Sequence, residues 1–217
     1  MTHPNIRTVV VYYSGYGHTK RLAEAVAQGA SASLIEIDAE GNIPDVEWET
    51  LDVSTAIIFG SPTYMGGPSW QFKKFVDNTS KRWHQQKWKD KVFGGFTNSA
   101  SLSGDKLSTL QYFALIAGQH GGLWVSLAIM PANLKSSKRD DLNRIGSYLA
   151  PMAQCDTDAT PSEMSVGDLE TARLYGVRVS TIAGRFALSE VALRARRTTS
   201  ESPANSRAPR VQRTTIS

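Results

Sequence analysis

Cysteine is nearly absent from this chain: Cys155 is the only one in 217 residues. An internal disulfide is excluded, and a lone thiol fits a reducing, cytoplasmic compartment. Long apolar runs are missing as well. No stretch approaches the roughly 18 residues of a membrane helix, and the opening Met1-Thr2-His3-Pro4-Asn5-Ile6-Arg7 is no secretory signal core. His3, His18, His84 and His120 share no ligand spacing with each other or with Cys155, which speaks against a bound metal. Two nucleotide signatures fail on spelling. No Gly-Lys-Ser/Thr occurs, so there is no P-loop, and Gly15-x-Gly17-x-x is followed by Lys20 where a dinucleotide fingerprint needs glycine. A phospho-accepting signalling domain needs carboxylates after its first strand, and Ser14 and Gly15 stand there instead.

Net charge is missing from most of the chain. From Ala187 onward six arginines oppose Glu190 and Glu201, so the whole formal charge of +4 falls in that segment and the body is neutral. Residues 187–217 are therefore expected to form a basic, disordered tail, because from Thr198 they offer Ser, Thr, Pro, Asn, Ala and Arg with little to bury. A solvated extension is the reading taken here over nucleic-acid contact. Residues 1–186 are expected to form one domain, and a 41% hydrophobic content is enough to fill its core.

What is present begins at Val9-Val10-Val11-Tyr12-Tyr13, a β-branched and aromatic run that stops at Ser14-Gly15-Tyr16-Gly17-His18-Thr19. A helical pattern follows at once. A strand, a short loop and a helix start together aim free backbone N–H groups and the positive end of a helix dipole at one point, which makes an anion site. The loop offers the hydroxyls of Ser14 and Thr19 and has no cation before Lys20, which suits a terminal monophosphate held by N–H and O–H donors.

Strands are predicted at 7–13, 33–37, 56–60, 92–97 and 123–129, and helices at 19–28, 69–78, 106–117, 140–152 and 168–186. Apolar strands alternating with helical patterns predict a doubly wound, five-stranded parallel sheet of order 2-1-3-4-5, with helices on both faces and a ligand crevice at the carboxyl ends of the strands. Under that arrangement Ser61-Pro62-Thr63-Tyr64-Met65-Gly66-Gly67-Pro68 and Thr97-Asn98-Ser99-Ala100-Ser101-Leu102-Ser103-Gly104 join the first loop at the crevice. Both are rich in small and hydroxyl residues and lack Lys and Arg, so backbone amides can approach the edge of a flat ring.

On these residues the chain resembles the flavodoxin-like family, and within it the WrbA-type branch of FMN-dependent NAD(P)H:quinone oxidoreductases. The resemblance runs from about Thr8 through Phe186. It rests on the first loop, on Pro62-Thr63-Tyr64-Met65-Gly66, on Phe75-Val76-Asp77-Asn78-Thr79 followed by Trp83, on Phe96-Thr97-Asn98-Ser99, and on Gln119-His120-Gly121. It implies FMN as cofactor, with Ser14, Gly15, Tyr16, Gly17, His18 and Thr19 at its phosphate. Pro62, Thr63, Tyr64, Met65 and Gly66, together with Thr97, Asn98, Ser99, Ala100, Ser101, Leu102 and Ser103, would hold ribityl and ring. His120 would touch the ring and is the one candidate for a catalytic side chain; Tyr16 and Trp83 would wall the substrate space.

It further implies NAD(P)H as co-substrate, a quinone-like acceptor and a homo-oligomer, dimer or tetramer. Two departures stand out: Tyr64-Met65 where the family has Arg-Phe, and a third loop poorer in glycine than usual. The alternative is a flavodoxin-type electron carrier docking to redox partners. Such carriers surround the flavin with acidic residues, which disfavour its reduced anion. The basic segment Lys81–Lys91, read as lying near the ring, argues for two-electron chemistry and for NADPH instead.

Overall fold

The computed structural model describes residues 6–200. Its centre is a parallel sheet of β1 (Thr8–Tyr13), β2 (Ser33–Ile37), β3 (Ala56–Tyr64), β5 (Val92–Ser99) and β6 (Leu123–Trp124), in the order β2-β1-β3-β5-β6. This is the predicted 2-1-3-4-5 order. A two-residue strand, β4 (Gly67–Pro68), folds back antiparallel on the end of β3, and β7 (Met152–Gln154) pairs with the far half of β5. The helices are α1 (His18–Ala30), α2 (Asp45–Val53), α3 (Trp70–Asp77), α4 (Ser80–His84), α5 (Lys106–Gln119) and α6 (Val166–Ser200).

The inner strands are buried on both faces, as their continuous β-branched and aromatic runs require: Val10, Val11, Ile57, Ile58 and Phe59 have no more than 0% exposure. On one face Phe59 packs with Phe72 of α3 and Phe113 of α5, with ring centroids 5.6 and 5.9 Å away. On the other, α6 lies against α1 and sends Tyr175 beneath β5, where its hydroxyl donates to Val125 O at 2.7 Å. A side chain at Gly29 would meet Arg173 O at 1.8 Å, so only glycine lets α1 and α6 cross this closely.

Three expectations are corrected. The fifth strand does not run from 123 to 129: it stops at Trp124, and the chain leaves the sheet before returning as β7, so one strand position is filled by two short pieces. The helix expected at 140–152 is absent. Asn143 stands in the left-handed region (φ 49°), and its amide donates to Ile129 O and Ser147 O at 2.8 Å while accepting from Ser147 N at 2.9 Å. This side chain replaces the backbone ladder a helix would have supplied. The last helix does not end at Phe186 but continues to Ser200, through the predicted tail boundary at 187. Ala187-Leu188-Ser189-Glu190-Val191-Ala192-Leu193-Arg194 is made largely of good helix formers, and its charge does not oppose helix formation. The rest of the expected tail, 201–217, lies outside the described residues. No helix among the described residues is long and apolar enough to cross a membrane.

Candidate functional site

The carboxyl ends of β1, β3 and β5 open on a cavity of about 390 Å³. Nine of its lining residues were expected from the sequence: Tyr16, His18 and Thr19 from the first loop, Pro62, Thr63 and Tyr64 from the second, and Asn98, Ser99 and Ala100 from the third. The remaining wall is Cys155, Asp156 and Thr157, which follow β7. Sequence reasoning assigned Cys155 no place in the crevice, because the split fifth strand that carries it here was not foreseen.

The first loop is built around Ser14. Its Oγ accepts from Gly17 N and from Lys20 N, both at 3.1 Å, and so caps its own helix. Both lone pairs are taken and the O–H proton is left over as a donor. Gly17 turns the chain at φ 89°, and the N–H groups of His18 and Thr19 open α1 where no intrahelical acceptor exists. His18 does not point to solvent: its Nε2 contacts Ala159 O at 2.9 Å and clips the first loop to the segment after β7. Thr19 is buried and donates to Asn98 Oδ1 at 2.7 Å, so its hydroxyl joins two loops.

The second loop stands on a chain of hydroxyls. Thr97 Oγ1 donates to Ser61 O at 2.7 Å, so it accepts from Thr63 Oγ1 at 2.8 Å; Thr63 in turn accepts from Thr109 Oγ1 at 2.8 Å. Thr97 is fully buried and floors the crevice without reaching it. Thr109, on α5, was not foreseen. Beyond Tyr64 the left-handed pair Met65 (φ 47°) and Gly66 (φ 81°) makes the β3–β4 turn and holds Met65 fully in solvent. Tyr16 and Tyr64 form the rim. Burial pushes the Tyr64 hydroxyl up to about 12, with Tyr16 and Tyr13 adding to the shift.

The third loop carries Asn98 and Ser99 on the cavity and Ser101, Leu102 and Ser103 away from it, with Leu102 exposed. Beneath lies Lys106, fully buried, which the sequence did not single out. The signal was available: a cation in the first turn of a helix opposes the dipole.

Two more expected residues, His120 and Trp83, lie at the opposite end of the sheet. His120 caps the C-terminus of α5, whose 14 residues carry it about 20 Å from the crevice end of that helix. There its Nε2 donates to Thr79 Oγ1 at 2.9 Å, since Thr79 spends its own proton on Val76 O, and its ring packs on Trp88 at 4.6 Å. Burial lowers it to about 4, so the ring is neutral. Trp83 sits on α4 at the same end. The segment around it closes on Asp52, which takes Arg82 Nε (3.0 Å) and Trp88 Nε1 (2.8 Å) on one oxygen and Lys87 Nζ (3.1 Å) on the other. The basic segment Lys81–Lys91 therefore lies at the amino ends of the strands and gives no argument about the charge around a ring or about NADPH. Among the described residues, the cavity lining has no Lys or Arg and one carboxylate, Asp156.

The cavity fits a monophosphate at one end and a flat polar ring at the other: hydroxyl and amide donors at the start of α1, and small polar loops under an aromatic rim. The chain matches the Flavodoxin family over residues 10–122. It is 55% identical over 176 residues to flavodoxin FldP of Pseudomonas aeruginosa, covering 81% of this chain and 96% of that protein. It is 30% identical over 208 residues to an NAD(P)H dehydrogenase (quinone) of Syntrophus aciditrophicus, covering 83% and 99%. A crystal structure of a flavodoxin, WrbA-like protein from Agrobacterium tumefaciens is 61% identical and superposes with a TM-score of 0.71, over 84% of this chain and 99% of that one.

Proposed function

This chain belongs to the flavodoxin family, and from that premise we propose that it binds FMN in the crevice and acts as an oxidoreductase, passing two electrons from NAD(P)H to a quinone or similar small acceptor. The observation that carries the reading is the wall of the cavity. Three loops at three neighbouring strand ends present donors, small side chains and aromatic rims, with a single carboxylate among twelve lining residues. Relatives named NAD(P)H dehydrogenase (quinone) and the WrbA-like structure support the enzymatic half.

Bound FMN would supply the redox chemistry, accepting hydride from a nicotinamide and giving electrons to a quinone. The chain's own part is binding, orientation and exclusion of water. The Ser14 O–H and the free N–H groups of His18 and Thr19 would hold the phosphate by hydrogen bonds and the helix dipole. Thr63, Asn98 and Ser99 would flank the polar part of the cofactor, each already fixed by its neighbours and so pre-organised. Tyr16 and Tyr64 would shield it from solvent while leaving the outer cavity open to one flat molecule at a time. No side chain in the lining stands as an obligate acid or base, and none is required for hydride chemistry.

Two observations favour a second reading, that of an electron carrier: the 55% identical relative is named a flavodoxin, and Asp156 places a carboxylate on the cavity. Steady-state kinetics of the FMN-loaded protein separate the two. Parallel double-reciprocal lines with NAD(P)H and a soluble benzoquinone support the enzyme. No turnover with either nucleotide, alongside rapid electron exchange with a redox partner protein, supports the carrier.

A further inference from the structure

Lys106 is the first residue of α5 and has no exposed surface. Its ammonium donates to Ser101 O at 2.6 Å and to Ser99 Oγ and Leu102 O at 2.9 Å, so all three of its protons are engaged by one loop. That loop supplies Ser99 and Ala100 to the cavity. The chain reaches this position through two consecutive left-handed residues, Gly104 (φ 53°) and Asp105 (φ 52°). A side chain at Gly104 would meet Ser99 Oγ at 2.0 Å, so the turn that tucks Lys106 under the loop needs glycine there.

This arrangement is costly as structure alone. The ammonium is buried, and it stands at the positive end of a helix dipole. The charged groups facing it are Asp168 on α6 and Arg139 on the irregular segment between β6 and β7. Asp168 does not neutralise it: both carboxylate oxygens are taken by Arg139, at 3.0 and 2.7 Å, and one also accepts from Gln154 N at 3.0 Å. Lys106 is therefore left as a net positive charge among these three. Burial lowers it to about 8, Arg139 pressing the same way and Asp168 opposing, so at neutral pH the ammonium is mostly charged.

We propose that Lys106 is a positioning residue of the cofactor site: its ammonium fixes the third loop in binding geometry and sets an uncompensated positive charge beneath it, favouring the reduced, anionic flavin over the oxidised one. The charge half rests on the FMN reading above; the positioning half does not. With the segment Lys81–Lys91 at the far end of the sheet, Lys106 is the buried cation whose ammonium is bonded to the loop that supplies Ser99 and Ala100 to the crevice.

The test compares wild type, Lys106→Met and Lys106→Gln, with Lys91→Met as a control. Lys91 is another buried lysine, also lowered to about 8, that donates to Asp52 O and Ser54 O at the opposite end of the sheet. In the flavin-free protein, amide exchange across residues 99–103 should quicken at least tenfold in Lys106→Met and stay at the wild-type rate in Lys91→Met. FMN dissociation constants should rise tenfold or more in Lys106→Met. The ratio of reduced to oxidised affinity should fall about tenfold, a drop of about 30 mV for a two-electron couple. Lys106→Gln keeps two donors without the charge, so it should recover part of the affinity and none of the potential. Unchanged exchange in Lys106→Met, or unchanged affinity and potential in a folded variant, overturns the proposal. A wild-type chain that binds no FMN while the exchange result holds overturns the functional reading and leaves the positioning role standing.

Discussion

Thr19 on α1 donates to Asn98 on β5 at 2.7 Å, a bond between two buried side chains 79 positions apart that ties the phosphate-type loop to the ring-type loop. It makes the crevice one unit: the first and third loops cannot separate without leaving the Asn98 oxygen without a partner. Thr19→Val should destabilise the fold by about 1–3 kcal/mol, the cost of an unsatisfied buried acceptor. Thr19→Ser should restore most of it. Urea unfolding of the two variants checks this, and a Thr19→Val variant as stable as wild type would break the link.

His120 gives a pH prediction with a definite sign. Its folded value is lowered to about 4 against an ordinary 6.5, so between those pH values the unfolded chain binds more protons than the folded one. Stability should therefore fall as pH drops from 6.5 towards 4, by up to ~3 kcal/mol from this group. His120→Leu should flatten that part of the urea-midpoint profile and leave FMN affinity at pH 7 within twofold. Lost FMN binding in a folded His120→Leu would return His120 to the cofactor site.

Asp52 is the acceptor on which Arg82, Lys87 and Trp88 converge. Asp52→Ala leaves a half-buried guanidinium and a buried indole N–H without it, and should cost about 2–4 kcal/mol. FMN affinity should not change. Calorimetry and a flavin titration on one preparation measure both, and a tenfold weaker FMN complex would contradict the placement of this segment away from the crevice.

The sheet order and the three loops were legible because they are local. Val9–Tyr13 runs into a glycine-hydroxyl loop, and the next two strand ends repeat that chemistry. What was not legible depends on contacts far apart in the chain. The resemblance put Trp83, and with it Lys81–Lys91, near the ring; the run of α3 back along the sheet carries the segment to the other end, where it closes on Asp52. The resemblance likewise put His120 at the ring, whereas the length of α5 carries it to Thr79 at the opposite end. The segment 140–152 carries helical spacing, yet the Asn143 clamp and its partner Thr171 on α6 decide its path. Cys155–Thr157 could be found only once β7 was known to pair with β5.

Ser14 offers the sharpest local test of the first loop. Ser14→Ala removes the acceptor for Gly17 N and Lys20 N and the free O–H donor together. It should cost about 1 kcal/mol of stability and weaken FMN about tenfold. Ser14→Glu places a carboxylate where the phosphate would sit, and should abolish FMN binding while the far-ultraviolet circular dichroism stays native. Tight FMN binding by Ser14→Glu would show that the anion sits elsewhere.

The most direct measurement is titration of the flavin-free protein with FMN and with riboflavin, followed by flavin fluorescence. A crevice organised around the N-terminus of α1 and the Ser14 hydroxyl should bind FMN at least a hundredfold more tightly than riboflavin, about 2.7 kcal/mol assigned to the phosphate. Equal affinities, or no binding of either, would contradict the account.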